Sequence, residues 1–498
     1  MRISSEHASQ QTIRFSDFSG GLNTTDAPES IAENELSRSI NVEIYNGQLK
    51  TVAGDRAVYK SSSVSFDSII YDSIESKILL TDTDRNVYLL EDGTLTSKGT
   101  LTGTAEIQYA AWEDGVIIAS GGKLQYYHGG TLEMLANSPD VCRGAFIKQG
   151  RVWTFYDDEL KCSAVGDETA WTNDSNDASS SQYLQVGYKD GGKIVGVCSL
   201  SSDVLIFKDN HHAYHLAGAY PDWSLSEIGR QIDCKGYHAC VALGNSTLTL
   251  GRAKMQAVNV TDDYGDMMAR DISQKIYQDI VSLPATVRLR YLPSLNQVWL
   301  LAGTLTFLFL DVTTGGWFTR RYNEGVIDAV EADGSVYFLK HNGLYVLDES
   351  LQSDDGYDMV WRFEPKTLTS DNNYLIKRIR IDTTPLHIGH ADEKIRVGRV
   401  HLNVTQPESA RYVYDNHEVV YGSTIQLVSN HVKPISRTSE ELYMSQEEVY
   451  GSTMPLVAKS TYRAETRCVD REKSIRTLVY GHGGVTVFNS IAFEIVEV

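Results

Sequence analysis

A chain of 498 residues with 42% hydrophobic and 22% charged residues has the composition of a globular protein, and its length indicates more than one folded part. The formal net charge of −20 argues against a protein that grips nucleic acid by its phosphates, because such binding requires clustered lysine and arginine. The charge is uneven. Residues 1–360 contain 28 lysines and arginines against 48 aspartates and glutamates, whereas residues 361–498 contain 17 of each.

No segment has the pattern of an export signal or of a membrane-spanning helix. Residues 1–7 are polar, and the most apolar stretch, residues 298–310, is interrupted by glycine and threonine. We therefore expect synthesis in a cytoplasm and no membrane insertion by this chain. The six cysteines include no C-x-x-C pair, so the sequence predicts reduced core thiols without a zinc site or a disulfide framework.

Short runs of β-branched and aromatic residues, bounded by glycine, aspartate and asparagine, recur along the first 350 residues. Several runs are separated by Asp-Gly or Asn-Gly, which supply the positive φ values of tight hairpin turns. The sequence therefore predicts antiparallel β-hairpins. The clearest runs are residues 78–80, 87–90, 116–119, 124–127, 336–339 and 344–347.

Between Ile69 and Leu347, about seven such strand sets follow one another at a spacing of roughly 40 residues. This period is typical of a β-propeller, in which each blade is a four-stranded sheet. We predict about seven blades, with six to eight compatible. Residues 167–181 are expected to form a polar surface loop, and residues 271–280 have the spacing of a short helix.

The composition changes near Val360, since 32 of the 39 glycines lie before residue 361. Beyond it, residues 375–381 alternate apolar with charged side chains, as half-exposed antiparallel strands do. We predict an all-β protein in three parts: an N-terminal arm with ring-closing strands (1–60), a β-propeller (61–360) and a C-terminal β-sandwich-like module (361–498).

No constellation indicates catalysis, a cofactor or a metal. His211, His212 and His215 follow a predicted hairpin turn, and alternation along a strand would place His212 on the opposite face. The loop that begins at Asp82 lacks the glycine and glutamate of a calcium-binding loop, and reads as a hairpin turn. We therefore expect a protein that is not an enzyme and has no cofactor.

Three segments resemble those of the tail nozzle or tail hub (tail tubular) proteins of bacteriophages. Residues 15–23 are similar to a start of the form F-x-G-G-L-N. Residues 196–208 are similar to a blade strand that ends in V-F-K, and residues 311–319 resemble a blade end of the form D-x-x-x-G-x-W-T. Further matching positions between and around these segments are Pro28, Asn41, Gly47, Leu49, Gly54, Tyr214 and Gly236.

This resemblance implies a structural protein of the virion tail, synthesised in the host cytoplasm. Copies of the chain would form a homo-oligomeric ring, expected to be a hexamer, with DNA only as passing cargo and adjoining tail or adaptor proteins as partners. We expect the N-terminal arm to serve assembly more than folding. The candidate assembly contacts are Phe18, Gly20, Gly21, Leu22 and Asn23 in the arm, and Lys377, Arg378, Arg380, Arg396 and Arg399 in the C-terminal module.

One alternative function remains open from the sequence. Tyrosine outnumbers phenylalanine by 28 to 13, and tyrosine-rich loops stack on sugars. The chain could therefore be a receptor-binding or adhesin-like propeller that recognises cell-surface glycans.

Overall fold

The structure, a computed structural model, describes residues 10–200, 203–229, 231–244, 246–260, 267–385, 401–405, 424–426, 462–466, 471–482 and 486–497. Strands dominate these residues, as predicted. The helical segments among them are a 3₁₀ helix (Gln274–Ile276) and α1 (Tyr277–Ser282), which confirm the short helix predicted there. The first strands are β1 (Gln10–Phe15), β2 (Gly21–Leu22), β3 (Glu35–Ile40), β4 (Val42–Tyr45), β5 (Gln48–Thr51) and β6 (Gly54–Lys60).

Seven four-stranded sheets, which we call blades 1 to 7, follow one another in the described part of the chain. Blade 1 contains β7 (Phe66–Asp72), β8 (Lys77–Asp82), β9 (Asn86–Glu91) and β10 (Thr94–Thr100), and blade 2 contains β11 (Gln108–Trp112), β12 (Gly115–Ala119), β13 (Gln125–His128) and β14 (Thr131–Met134). Blade 3 contains β15 (Ala145–Lys148), β16 (Arg151–Tyr156), β17 (Glu159–Cys162) and β18 (Gln182–Gln185). Blade 4 contains β19 (Ile194–Ser199), β20 (Val204–Lys208), β21 (Ala213–Ala217) and β22 (Ser224–Gly229). Blade 5 contains β23 (Cys240–Leu243), β24 (Ser246–Leu250), β25 (Met255–Val260) and β26 (Met267–Asp271); blade 6 contains β27 (Arg288–Leu292), β28 (Gln297–Leu301), β29 (Thr306–Asp311) and β30 (Trp317–Arg321); blade 7 contains β31 (Val326–Ala332), β32 (Ser335–Lys340) and β33 (Gly343–Asp348), with β6 as its fourth strand.

The blades form a closed ring, which confirms the β-propeller. The first strands of successive blades contact each other from blade 2 to blade 7, and β7 of blade 1 contacts both β12 and β31. Successive residues of a strand face opposite neighbours. Ile117 of β12 accordingly packs with Val152 of blade 3, whereas Val116 and Ile118 pack with Leu79 of blade 1. Blade 2 is thus apolar on both faces, as a blade between two neighbours must be.

The remaining strands follow blade 7. They are β34 (Ser353–Asp354), β35 (Tyr357–Asp358), β36 (Val360–Pro365), β37 (Leu368–Pro385), β38 (His401–Thr405), β39 (Thr424–Gln426), β40 (Tyr462–Thr466), β41 (Arg471–His482) and β42 (Thr486–Glu497). A twelve-stranded sheet has the order β2-β3-β36-β41-β37-β42-β5-β4, with β1 on β42, β38 on β41, β39 on β38 and β40 on β37.

The chain divides into two compact units that differ from the predicted parts. The ring unit comprises residues 57–307 and 324–346, and the mixed unit comprises residues 1–56, 308–323 and 347–498. Strands β1 to β5 share one sheet with β36 to β42, so the N-terminal residues are not an arm apart from the C-terminal module. The physical reason is pairing along the whole length of β1, where Gln10 lies opposite Val496 and Phe15 opposite Ile491.

Candidate functional site

The predicted N-terminal contact residues lie inside the mixed unit. Phe18, Leu22 and Asn23 are 0%, 3% and 3% exposed. Phe18 packs edge to face against Phe363, with ring centroids 6.0 Å apart, and Asn23 donates a hydrogen bond of 2.9 Å to the Glu35 carboxylate. These are core residues of their own chain. The expectation that this segment serves assembly more than folding, and the assignment of these residues as assembly contacts, stay predictions.

Gly20 and Gly21 occupy positions that have no room for a side chain. Gly21 has a φ of +67°, and a Cβ there would lie 2.5 Å from the backbone nitrogen of Trp317 and 2.8 Å from the Cα of Gly316. At Gly20, a Cβ would lie 2.8 Å from the carbonyl oxygen of Asn34. Residues 15–23 and 311–319, two of the segments that carry the phage-tail resemblance, therefore meet at Gly21. They lie almost 300 positions apart in the sequence.

Asn41, another residue of the resemblance, is a hydrogen-bonding centre in the mixed unit. Its backbone N–H donates to the Thr319 carbonyl at 2.9 Å. Its Nδ2 donates to the carbonyls of Arg321 and Val360 at 3.2 and 2.8 Å, and its Oδ1 accepts from the Arg321 N–H at 2.7 Å. Asn41 has a φ of 54°, a left-handed conformation that asparagine tolerates well. It thereby joins β30 and β36 to the turn between β3 and β4.

The ring unit contains a buried charge cluster that sequence reasoning missed. Asp328 on β31 is 1% exposed and accepts hydrogen bonds from Arg288 Nη1 at 2.8 Å and from Arg290 Nε at 2.7 Å. Arg288 and Arg290 alternate with Leu289 on β27, so both guanidinium groups face the same side. Burial alone would raise the pKa of Asp328, but Arg290 and Arg288 hold it well below its usual range.

His238 and Glu106 extend this cluster. Arg290 Nη1 lies 3.5 Å from His238 Nδ1, and His238 Nε2 lies 3.9 Å from Glu106 Oε2. Burial, with the positive charges of Arg290 and Arg288, lowers the pKa of His238 well below 6.5, so its imidazole is neutral at pH 7. Burial also raises the pKa of the Glu106 carboxyl, which the arginines only partly offset.

The cluster connects blades that are not neighbours in the ring. Arg288 of blade 6 donates to the carbonyl of Asp67 in blade 1 at 2.9 Å, although blade 7 stands between these two blades in the ring order. Gln108 of blade 2 donates from Nε2 to the carbonyl of Tyr237, just before blade 5, at 2.6 Å. Blades 2 and 5 lie on opposite sides of a seven-bladed ring, so this contact crosses its centre. The centre of the propeller is therefore filled by side chains at this level.

The three histidines of residues 211–215 do not converge. His211, His212 and His215 lie 3.2, 3.1 and 3.0 Å from Asp233, Glu227 and Asp203 respectively, each at a separate carboxylate. Across the described ranges of the chain, no group of three or more histidine, cysteine, aspartate or glutamate residues is arranged to hold a metal ion.

The loop that begins at Asp82 is a hairpin turn between β8 and β9, as predicted. The Asp82 carboxylate accepts from the backbone N–H of Asn86 at 2.8 Å and from the Tyr88 hydroxyl at 2.9 Å. Arg85 takes a positive φ of 69° between β8 and β9. The aspartate therefore stabilises the turn through its own hydrogen bonds.

The C-terminal basic residues are placed only in part. Lys377, Arg378 and Arg380 lie on β37, where Arg378 is opposite Glu494 of β42 and Arg380 is opposite Ala492. Arg396 and Arg399 lie outside the described residues. The role of these five residues in docking stays a prediction.

Blade 3 carries an open cleft of about 210 Å³. Its lining includes Asp140, Tyr156, Glu159 and Lys161. Tyr183 of β18, opposite Lys161 in the sheet, is 63% exposed.

No family model matches the chain, and no curated protein matches its sequence. Among solved structures, the chain is similar to BamB from Moraxella catarrhalis, with a TM-score of 0.40 and 9% identity over 62% of this chain and 93% of that chain. Within the described residues, no helix has the length and apolar character needed to cross a membrane.

Proposed function

We propose that this chain is a structural protein of a bacteriophage tail, one copy of the nozzle or hub ring through which DNA is retained and then ejected. The observation that carries the proposal is the meeting of two resemblance segments in one place, where Gly21 lies against Gly316 and Trp317. Asn41, a third matching position, binds the adjacent Thr319 and Arg321. Positions from two of the three resemblance segments, together with Asn41, therefore build one local structure.

In this proposal the path of the DNA runs between copies of the chain. The contact from Gln108 to Tyr237 fills the centre of the propeller, so a duplex does not pass through a single ring unit. A lumen wide enough for DNA therefore requires several copies, and a hexamer is the expected number. The excess of acidic residues in positions 1–360 would discourage DNA from sticking to such a lumen.

The C-terminal strands are the proposed docking surface for adjoining tail or adaptor proteins. Strand β37 carries Lys377, Arg378 and Arg380 within four positions, in a part of the sequence without net charge. Basic groups of this kind pair with carboxylates of a partner and steer its approach. Reversing all three charges to glutamate should abolish binding of the neighbouring tail protein, while the charge reversal Lys189→Glu in the ring unit should leave binding intact.

Electron microscopy of the full-length purified chain tests the proposed ring. We expect closed rings with a central opening, in which each propeller appears as a separate disc at the perimeter. Light scattering during size-exclusion chromatography should give a single multiple of the chain mass of 55.4 kDa. A chain that stays monomeric at all concentrations, both alone and with its neighbouring tail proteins, would refute the proposal.

The cleft in blade 3 supports a second candidate function, the recognition of cell-surface glycans. It combines the aromatic ring of Tyr156 with the charged groups of Glu159 and Lys161, and sugars bind to aromatic faces flanked by hydrogen-bonding groups. A glycan array separates the two functions. Binding that Tyr156→Ala abolishes, in a chain that forms no rings, would favour the receptor-binding propeller.

A further inference from the structure

The face of blade 3 that lines the cleft also carries Tyr183. Strands β16, β17 and β18 are paired so that Thr154 lies opposite Lys161, and Lys161 lies opposite Tyr183. Residues directly opposite each other project from the same face of a sheet. Tyr156 and Glu159 form the next row of that face, since each lies two positions along its strand from the first row. Tyr183 therefore shares a face with residues that line the cleft.

The opposite face of blade 3 is apolar and packs towards blade 4. Trp153 and Leu160 belong to the core cluster that includes Ile206 of β20. On the face with the cleft, by contrast, Tyr156 and Tyr183 are 46% and 63% exposed. These two rings are therefore largely outside the core, and their exposed surfaces are open to a ligand.

Residues 139–141, which precede blade 3, also line the cleft and are held firmly in place. The backbone of Cys142 donates to the carbonyl of Gly122 at 3.0 Å, in the turn between β12 and β13. The Asp140 carboxylate lies 3.3 Å from Lys123 Nζ of the same turn. A lining fixed in this way is already formed before a ligand arrives, which reduces the entropy lost on binding.

Tyr156 and Tyr183 are too far apart to contact the same sugar. They lie on β16 and β18, which are two strand spacings apart, and in rows that are one two-residue step apart. With about 4.8 Å between strands and about 6.8 Å for two residues along a strand, their Cα atoms are about 12 Å apart. This distance exceeds the length of one sugar ring. The two tyrosines would therefore stack on different sugars of one oligosaccharide.

The charged groups of this face favour a neutral ligand. Glu159 Oε2 lies 3.2 Å from Lys161 Nζ, on the strand between those of the two tyrosines. Lys123 is in turn paired with Asp140. Both of these ammonium groups are thus occupied, and an acidic sugar would meet two carboxylates without a cation of its own. Hydroxyl groups, in contrast, both donate to carboxylates and accept from ammonium groups.

We propose that this face of blade 3 binds a neutral oligosaccharide. Tyr156 and Tyr183 stack on two different sugars, and the pair of Glu159 and Lys161 exchanges hydrogen bonds with hydroxyl groups between them. This inference rests on the second candidate function, glycan recognition. It adds the class of the ligand and a second aromatic contact outside the cleft lining.

A glycan array with neutral and acidic glycans, each as a monosaccharide and as a longer chain, tests the ligand class with the full-length protein. We expect binding to neutral chains of three or more sugars, and none to monosaccharides or to glycans of uronic or sialic acid. Equal binding to monosaccharides, or binding to acidic glycans alone, would overturn this inference but keep glycan recognition. Binding to no glycan would refute both.

Titration calorimetry with the neutral tetrasaccharide that gives the strongest array signal tests the two tyrosines. Tyr156→Ala and Tyr183→Ala should each weaken its binding about tenfold, because each removes one stacking contact. Tyr183→Phe should bind as tightly as wild type. The matched control is Tyr357→Ala, which changes a tyrosine that is 70% exposed on β35. Wild-type affinity in Tyr183→Ala would overturn the proposal.

Glu159→Gln tests the role of charge in the same experiment. The glutamine still forms hydrogen bonds with hydroxyl groups but leaves the Lys161 ammonium without its carboxylate. This variant should keep its affinity for the neutral tetrasaccharide and gain binding to uronic acid chains on the array. Rejection of acidic glycans that is as complete as in the wild type would contradict the charge argument.

Discussion

Nη2 of Arg320 lies 2.9 Å from Oε2 of Glu43, although the two residues are 277 positions apart. Arg320 on β30 is 0% exposed and Glu43 on β4 is 6% exposed. A buried charge is costly unless it is paired, so each residue stabilises the mixed unit only while the other is present. The pair links the N-terminal strand β4 to β30, next to residues 311–319, the segment that resembles a blade end of the phage proteins.

Glu43→Gln should lower the free energy of unfolding by about 3 kcal/mol, because it leaves the Arg320 guanidinium buried without its carboxylate. Urea denaturation of the full chain at pH 7 measures the change. The matched control is Asp157→Asn, which removes an exposed pair with Lys193 (3.0 Å) and should have little effect. Equal effects of the two variants would show that the buried pair has no special role.

Asp328→Asn should destabilise the ring unit by about 3 kcal/mol at pH 7, since two guanidinium groups lose their carboxylate. The pKa of Asp328 is depressed in the folded state, so its contribution is present above about pH 4 and is lost as the pH falls further. The difference from wild type should therefore shrink between pH 5 and pH 2. Asp333→Asn, at the exposed turn after β31, is the control. A difference that does not change with pH would contradict this account.

His238→Gln should make the stability of the protein less sensitive to pH between 7 and 5. The pKa of His238 is lowered well below 6.5 in the folded chain, so the unfolded chain binds a proton that the folded chain does not. Stability contributed by the neutral imidazole is therefore lost as the pH falls below about 6.5, by at most about 1.4 kcal/mol per pH unit. Urea midpoints at pH 7.5 and 5.5 measure this. Identical slopes in both proteins would refute it.

Gly21→Ala should destabilise the chain far more than Gly93→Ala. Both glycines have a left-handed backbone, with φ values of +67° and +71°. Alanine costs about 1 kcal/mol from the backbone alone at such positions. At Gly93, no atom lies within 4 Å of the new methyl group, whereas at Gly21 it would meet the Trp317 backbone at 2.5 Å. Thermal melts of both variants test this, and equal melting temperatures would contradict it.

The full-length chain should form no complex with duplex DNA in a gel shift at about 50 mM salt. Its acidic residues exceed its basic residues by 20, and affinity for phosphates arises from clustered lysine and arginine. DNA can move through the proposed ring without being held there only if the protein binds it this weakly. A salt-dependent complex at micromolar protein would contradict the prediction, and a lysozyme sample, which is basic, serves as the positive control.

Local chemistry made the propeller predictable from sequence. Asp92 and Asp333, predicted from Asp-Gly pairs to lie in hairpin turns, take positive φ values of 48° and 49°. Turns of this kind depend on neighbouring residues alone, and repetition of the strand sets at a regular spacing then indicates blades. The period led to about seven blades, and the structure contains seven four-stranded sheets in its described residues.

The sequence by itself determined the turns, the strands and the all-β class, because each depends on residues close together in the chain. Only the tertiary structure decided which strands share a sheet, and so placed the apolar Phe18 in the core of its own chain. It alone brought His238 to Glu106 and Arg288 to Asp67. Such pairs carry no local signal, since their contacts arise from closure of the ring, where residues far apart in sequence are forced to one centre or one interface between blades.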